Sequence, residues 1–321
     1  MSFLYSIHRF KDHCKSKGVL GTIRYAIQSF LGIKQQKEEL ETLRYFFKKY
    51  HTLVDLKETD DKELRILQKC DTMLLGIIDK LCRKHGLTYW LDYGTLLGAV
   101  RHKGFIPWDD DTDLSMPRDD LNRAVDILKD EMEKFGITIE YYDNQKLSEI
   151  CVHYQHQNTG IWCDITPIDE ITSSLNHEDT KKILKPALLK YASWYQLNHS
   201  KKTDEFIWSK KKKDVLDSVN KGDNHYLFHG YEFLQTNVRL FEKQVVFPIQ
   251  RIKFESIELN APANVDSYLK EIYGEGYMDF PKNGVEHHGE GRLPLKKWHL
   301  KSGIDMNALY THLSDCYDSI K

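Results

Sequence analysis

Residues 89–113 read Tyr89-Trp90-Leu91-Asp92-Tyr93-Gly94-Thr95-Leu96-Leu97-Gly98-Ala99-Val100-Arg101-His102-Lys103-Gly104-Phe105-Ile106-Pro107-Trp108-Asp109-Asp110-Asp111-Thr112-Asp113. A short strand is expected over Leu87 to Asp92, broken by Gly94-Thr95, with helix from Leu96 to Arg101. A second strand is expected over Asp111 to Met116. Successive side chains of an extended chain point to opposite faces, so Asp111 and Asp113 project to one side. Asp109 joins them if extension begins after Pro107-Trp108. Carboxylates crowded on one face repel each other, and a divalent cation relieves that repulsion. A few hard oxygen ligands that leave room for phosphate oxygens suit Mg2+, with Mn2+ as the alternative. Asp164, in the apolar run Ile161-Trp162-Cys163-Asp164-Ile165-Thr166, is the candidate third carboxylate from a neighbouring strand. An unpaired acid buried there would be costly.

Taken alone, an acidic run is as well read as a solvated loop before a strand. Its surroundings favour the metal site. Gly94-Thr95 can open a helix whose backbone N–H groups face a phosphate, and Thr95 adds a hydroxyl. Arg101 and Lys103 lie between that turn and the acids, where they can bind phosphate charge.

Outward from this stretch, residues 60–85 carry Leu64, Leu67, Leu74, Leu75, Ile78, Leu81 and Cys82 at helical spacing and stop at Gly86. After the second strand, Asp119 or Asp120 is expected to cap a helix with the face Leu121, Ala124, Val125, Leu128, Met132 and Phe135, closed by Gly136. Strands are expected at 137–142, 150–156 and 161–166, then a mostly helical, polar stretch over about 175–240. Strand-like pieces return at 244–247, 251–254 and 256–259, and a short helix over 264–273 runs into Gly274. That order describes an α/β or α+β core with a helical elaboration.

The 321 residues are 40% hydrophobic and 29% charged, with no CxxC pair and no apolar run long enough to span a membrane. A net charge of -2 gives the whole molecule no bias toward nucleic acid. Cytoplasmic residence is the simplest expectation. Residues 1–37 differ from the rest, with seven Lys or Arg against the single acid Asp12. Leu20, Ile23, Ile27, Phe30 and Leu31 mark one helical face in that segment. Such a segment either lies on an anionic membrane surface or packs on the protein's own body.

The quoted stretch closely resembles the LicD family, which includes bacterial phosphocholine transferases and, more distantly, fukutin and fukutin-related protein. Asp164-Ile165-Thr166-Pro167-Ile168-Asp169 is similar to the family's third-carboxylate segment. Phe247-Pro248, Lys253-Phe254-Glu255, Pro262, Tyr268-Leu269, Tyr273-Gly274 and Tyr277-Met278 are similar to its C-terminal block, so the likeness spans roughly 60–285. The resemblance implies an α+β fold: a nucleotidyltransferase-like mixed sheet of the polymerase-beta type, flanked by helices. It implies that Gly94 and Thr95 contact phosphate and that Asp109, Asp111 and Asp113 hold the metal. Asp164 is then a further ligand or the general base. The implied reaction moves a phospho-alcohol such as phosphocholine from a CDP-activated donor to a sugar hydroxyl, releasing CMP. Its partners are a CDP-alcohol and a glycan or lipid-linked glycan acceptor of lipopolysaccharide, capsule or teichoic acid, in a bacterial setting. The rival readings are a nucleotidyltransferase releasing pyrophosphate and a non-catalytic, membrane-associated glycan-binding protein.

The expected organisation is a basic helical segment at 1–58, a catalytic domain at 59–285 with a helical insertion near 175–240, and a tail at 286–321. Cys151, His153, His156 and Cys163 could suggest zinc, but Cys151 and His153 also fit strand alternation and the gaps match no familiar zinc pattern. Lys210 to Lys213 read as a solvated helix face, and His287, His288 and His299 as surface histidines. Trp90, Tyr93, Trp108, Tyr154 and Trp162 flank the expected site, where core packing is the default and stacking on a base or a quaternary ammonium is the functional alternative.

Overall fold

The computed structural model describes residues 61–142, 147–155, 157–198, 205–219, 221–231, 238–279 and 303–321. Nearly all of these belong to one compact unit, Leu56–Met278 with Gly289–Lys321. The basic segment 1–58 and the histidines at 287, 288 and 299 lie outside the described residues.

Helix α1 (Lys62–His85) starts where the Asp61 carboxylate accepts from the N–H groups of Glu63 and Leu64, and stops at Gly86 with φ 62°. Only glycine adopts that left-handed conformation without steric cost. Strand β1 is just Trp90–Leu91, shorter than expected, because Asp92 turns to cap helix α2 (Tyr93–Arg101). Then come β2 (Thr112–Pro117), α3 (Arg118–Glu133), β3 (Ile137–Tyr142), β4 (Leu147–Tyr154) and the long β5 (Gln157–Ser173). Neither Asp119 nor Asp120 caps α3; Pro117 holds that position without a side-chain bond. Asp120 is taken up instead by the Thr88 N–H and by Arg123. The elaboration consists of α4 (His177–Asn198), α5 (Glu205–Val219) and a strand that periodicity did not disclose, β6 (Asn224–His229). Strand β7 (Leu240–Glu242) follows. Of residues 244–247, expected as strand, 244–246 belong to a one-turn helix, α6 (Lys243–Val246), with Phe247 as its C-cap. A hairpin of β8 (Gln250–Phe254) and β9 (Ile257–Ala261) leads to α7 (Val265–Tyr273) and finally α8 (Met306–Ser319).

The fold is mixed α+β. Seven strands form one sheet in the order β1-β2-β5-β4-β3, with β6 joining the far half of β5 and β7 joining β6; β8 and β9 form a separate pair. Among the described residues only the β2–β5 pairing is parallel, and it is in register from Thr112 beside Cys163 to Pro117 beside Ile168. A main core gathers α1, α2, α3, α8 and the sheet around Leu74, Ile78, Trp90, Leu114, Ile165 and Leu313. A second cluster under the elaboration contains Ile171, Leu184, Leu188, Tyr195 and Phe228. In α5, the ammonium groups of Lys211 and Lys212 stand over the rings of Trp194 and Tyr231 rather than facing only solvent.

Candidate active site

The acids converge because three local structures meet at the start of β2. The parallel register sets Asp113 directly beside Asp164, and residues paired in this way point to the same side of a sheet. The loop before β2 carries Asp109, Asp110 and Asp111, and α1 pins it: Gln68 Nε2 donates to the Asp109 carbonyl at 2.9 Å. A second clamp holds the preceding loop, where Glu255 accepts from the Phe105 N–H at 3.2 Å and from Arg65 at 3.1 and 2.7 Å.

Helix α2 opens against this loop. The Asp92 carboxylate accepts only the first N–H of the helix, that of Tyr93, at 2.7 Å. The amides of Gly94 and Thr95 come next in the first turn, and the Asp92 side chain takes neither of them. Thr95 Oγ1 accepts from the Asp113 N–H at 2.8 Å, and the Asp92 N–H donates to the Asp113 carbonyl at 3.0 Å, so turn and strand move as one. Gly94 leaves room for Asp109: a Cβ there would sit 2.9 Å from an Asp109 carboxylate oxygen and would make that side chain shift.

Electrostatics show how crowded the acids are. Asp109 is pushed well above the usual carboxylate range by burial, then by Asp111 and Asp110, with Arg101 pulling the other way. Asp113 is raised by burial, then by Asp111, Asp164, Asp92 and Asp109. Arg101, which also lies near Tyr273, is lowered by burial and raised by its anionic neighbours. Lys103 is exposed and donates from its ammonium to the Val100 carbonyl at 3.2 Å, so it is not gathered with the acids. As the side chains stand, no three His, Cys, Asp or Glu among the described residues close around a single point as metal ligands. The donor set nonetheless fits a hard divalent cation. Its ligand atoms are all carboxylate oxygens, and both oxygens of the buried Asp71, which feels Asp111, Asp110 and Asp109, lack a hydrogen-bond partner. Asp71 carries no local signal in the sequence, since it sits within the apolar periodicity of α1.

Also unforeseen is the support behind the turn. His229 Nε2 and Asp92 Oδ2 lie 2.9 Å apart, both fully buried, and Ser115 Oγ donates to the same oxygen at 2.5 Å. The His229 ring stacks on Tyr93 at 5.0 Å, with its Nδ1 3.2 Å from the Tyr93 hydroxyl. Tyr93 has φ 37°, a strained value that this stack and the Asp92 cap hold in place. His229 is contributed by β6, beyond the reach of any local motif. Of the flanking aromatics, Trp90 is core, packed edge-on against Phe247, whereas Tyr93, Trp108 and Trp162 are half-buried. A cavity of about 360 Å³ lined by Trp90, Arg118, Asp169, Glu170, Lys243 and Phe247 contains none of the clustered acids; it opens by the C-terminal ends of β2 and the segment of β5 beside them.

With this geometry in place, comparison with known proteins is direct. Residues 86–185 match the family model described as LicD/FKTN/FKRP, nucleotidyltransferase domain. Over that stretch the chain is similar to the LicD family. It is 28% identical over 268 residues to the lipopolysaccharide cholinephosphotransferase LicD of Haemophilus influenzae, covering 78% of this chain and 89% of that protein. Over 61 residues it is 40% identical to the human ribitol 5-phosphate transferase FKRP, 19% of this chain and 12% of the human one. An uncharacterized Rickettsia prowazekii protein is 37% identical over 91 residues, 27% of this chain and 34% of its own length. The matched LicD region contains α2, the acidic loop, β2 and Asp164, but neither Asp71 nor His229. No helix among the described residues is long and apolar enough to cross a membrane.

Proposed function

We propose that this chain transfers a phospho-alcohol group, such as phosphocholine, from a CDP-activated donor to a sugar hydroxyl of a glycan or lipid-linked glycan, with a magnesium-like cation at the acidic cluster. The observation that carries this reading is the in-register pair Asp113–Asp164 beside the N-terminus of α2, whose first turn contains Gly94 and Thr95. The names of the relatives, a cholinephosphotransferase and a ribitol 5-phosphate transferase, support the class of group moved. The core is read as a nucleotidyltransferase-like sheet of the polymerase-beta type.

In this reading, Asp109, Asp111, Asp113 and Asp164 hold the cation, which supplies neutralisation of charge on the transferring and leaving oxygens. The α2 N-terminus and Arg101 orient the diphosphate by hydrogen bonds and charge. The acceptor hydroxyl attacks the phosphorus bearing the alcohol. A new P–O bond forms, the P–O bond to CMP breaks, and the hydroxyl proton passes to a carboxylate, the role proposed for Asp164 as the alternative to holding the cation. Lys103 has a lesser part, since its ammonium is already engaged at Val100.

The test is product analysis with CDP-choline, CDP-ethanolamine, CDP-ribitol and CDP-glycerol, each with Mg2+ and an extracted glycan acceptor. CMP release together with labelled glycan is expected, reduced at least ~100-fold in Asp113→Asn. Pyrophosphate as the product would move the reading to nucleotidyl transfer. No turnover of any cytidine donor by a folded protein would overturn it.

A further inference from the structure

Helix α1 does more than pack. Gln68 reaches the Asp109 carbonyl from it, so the face of α1 that carries Gln68 looks onto the acidic loop. Asp71 is three residues further along, on the same face of a helix. It is 1% exposed, and neither of its carboxylate oxygens has a hydrogen-bond partner. Neighbouring α1 acids show what an ordinary buried carboxylate looks like here: Asp79, also buried, is bonded by Arg83, Arg251 and the Tyr89 hydroxyl. Asp71 has no such cation or donor. Its charge is felt on the β5 side by Cys163, next to Asp164, and it in turn feels Asp111, Asp110 and Asp109. It therefore lies near both the acidic loop and β5.

Protonation alone does not account for this placement. A neutral carboxyl still carries an O–H donor and a carbonyl acceptor, and buried groups of both kinds are almost always paired. A cation shared with the acidic loop satisfies both oxygens at once and offsets the repulsion among the carboxylates. Rotation about χ1 and χ2 is what the side chains need to close on it.

We propose that Asp71 is a further carboxylate ligand of the divalent cation at the Asp109–Asp113 cluster, supplied by α1 from outside the region that matches the LicD model. This rests on the metal-dependent reading above and adds a ligand to it. It also makes α1 part of the site, so that cation binding ties α1 to the acidic loop and to β5.

The test is calorimetric titration of metal-stripped full chain with Mn2+ and with Mg2+, for the wild type, Asp71→Asn, Asp71→Ser and Asp111→Asn, alongside thermal melts with and without metal. The wild type is expected to bind. Asp71→Asn and Asp71→Ser are expected to weaken binding by ~10–100-fold, the scale for losing a carboxylate that supports a metal. The metal-induced rise in melting temperature is expected to be smaller in both Asp71 variants than in the wild type, because a weaker-bound ligand stabilises the folded state less. The melt also confirms that each variant is folded. If the wild type and Asp111→Asn differ in affinity while both Asp71 variants bind like the wild type, this proposal is overturned and the metal-dependent reading stands. If the wild type binds neither ion, both fall together.

Discussion

At the scale of single residues, the site depends on charges that are answered and charges that are not. Asp92 is answered. Burial pushes its carboxyl upward, but His229, Ser115 and the Tyr93 N–H outweigh that and hold it below its ordinary value. A carboxylate with a lowered folded pKa contributes stability that is present above the unfolded pKa of about 3.9 and fades as pH falls through the folded one. Asp92→Asn is therefore expected to cost about 3–5 kcal/mol at pH 7, the scale for breaking a buried pair. Urea unfolding at pH 7 and at pH 3 checks this, since the difference between variant and wild type should narrow at the lower pH. Equal destabilisation at both would count against the charge and for packing alone. Asp109, Asp113 and Asp71 are the opposite case, raised by burial and by one another.

Elements are held by fewer and more exposed ties. The C-terminal turn of α1 meets α3 at Glu131, which Lys134, Lys84 and His85 hold down at about 2. Lys84 Nζ and His85 Nε2 stand 3.1 and 3.2 Å from its Oε1. Glu131→Gln is expected to lower stability at pH 7 by roughly 0.2–1 kcal/mol, as for other surface ion pairs. Because the shift is downward, that loss should vanish as pH falls from about 4.5 to about 2. Melts of variant and wild type across that range check it; a constant offset would assign the effect to helix propensity. The start of α1 is tied differently, through Arg65 to Glu255 at the β8–β9 turn, whose backbone N–H also reaches the Lys103 carbonyl at 2.7 Å. One helix thus connects the hairpin, the loop before the acids and α3.

For the whole molecule, α8 closes the core over the outer side of α1. Leu309 and Leu313 are fully buried, and Lys80 Nζ takes the carbonyls of Tyr317 and Ile320 at 2.7 and 2.9 Å. Gly76 permits this approach, because a Cβ there would meet the Tyr317 ring at 2.7 Å. Leu313→Ala is expected to cost about 2–5 kcal/mol, as for other large-to-small changes in a core. Gly76→Ala should be destabilising too, although alanine is the better helix former. A Gly76→Ala chain that unfolds at higher urea than wild type would show that α8 does not pack as described.

Much of this was legible in the sequence because it is local. The length of α1, its stop at Gly86, the acids before β2 and the Gly94-Thr95 turn follow from apolar spacing, capping chemistry and left-handed glycine. Where a side chain had two uses, local signals misled: Asp92 gave up strand for a cap, and Asp120 was drawn away from capping α3 by Thr88 and Arg123. Residues 244–247 read as strand, yet 244–246 lie in a helical turn, since β7 ends at Glu242 and the chain must turn toward the β8–β9 hairpin. The sequence by itself determined which residues carry charge and the local elements that present them. Only the tertiary structure decided that Asp164 stands beside Asp113, that His229 braces Asp92 and that Asp71 faces the acids without a partner. Those relations join residues tens to more than a hundred positions apart, and register and packing fix them, not periodicity.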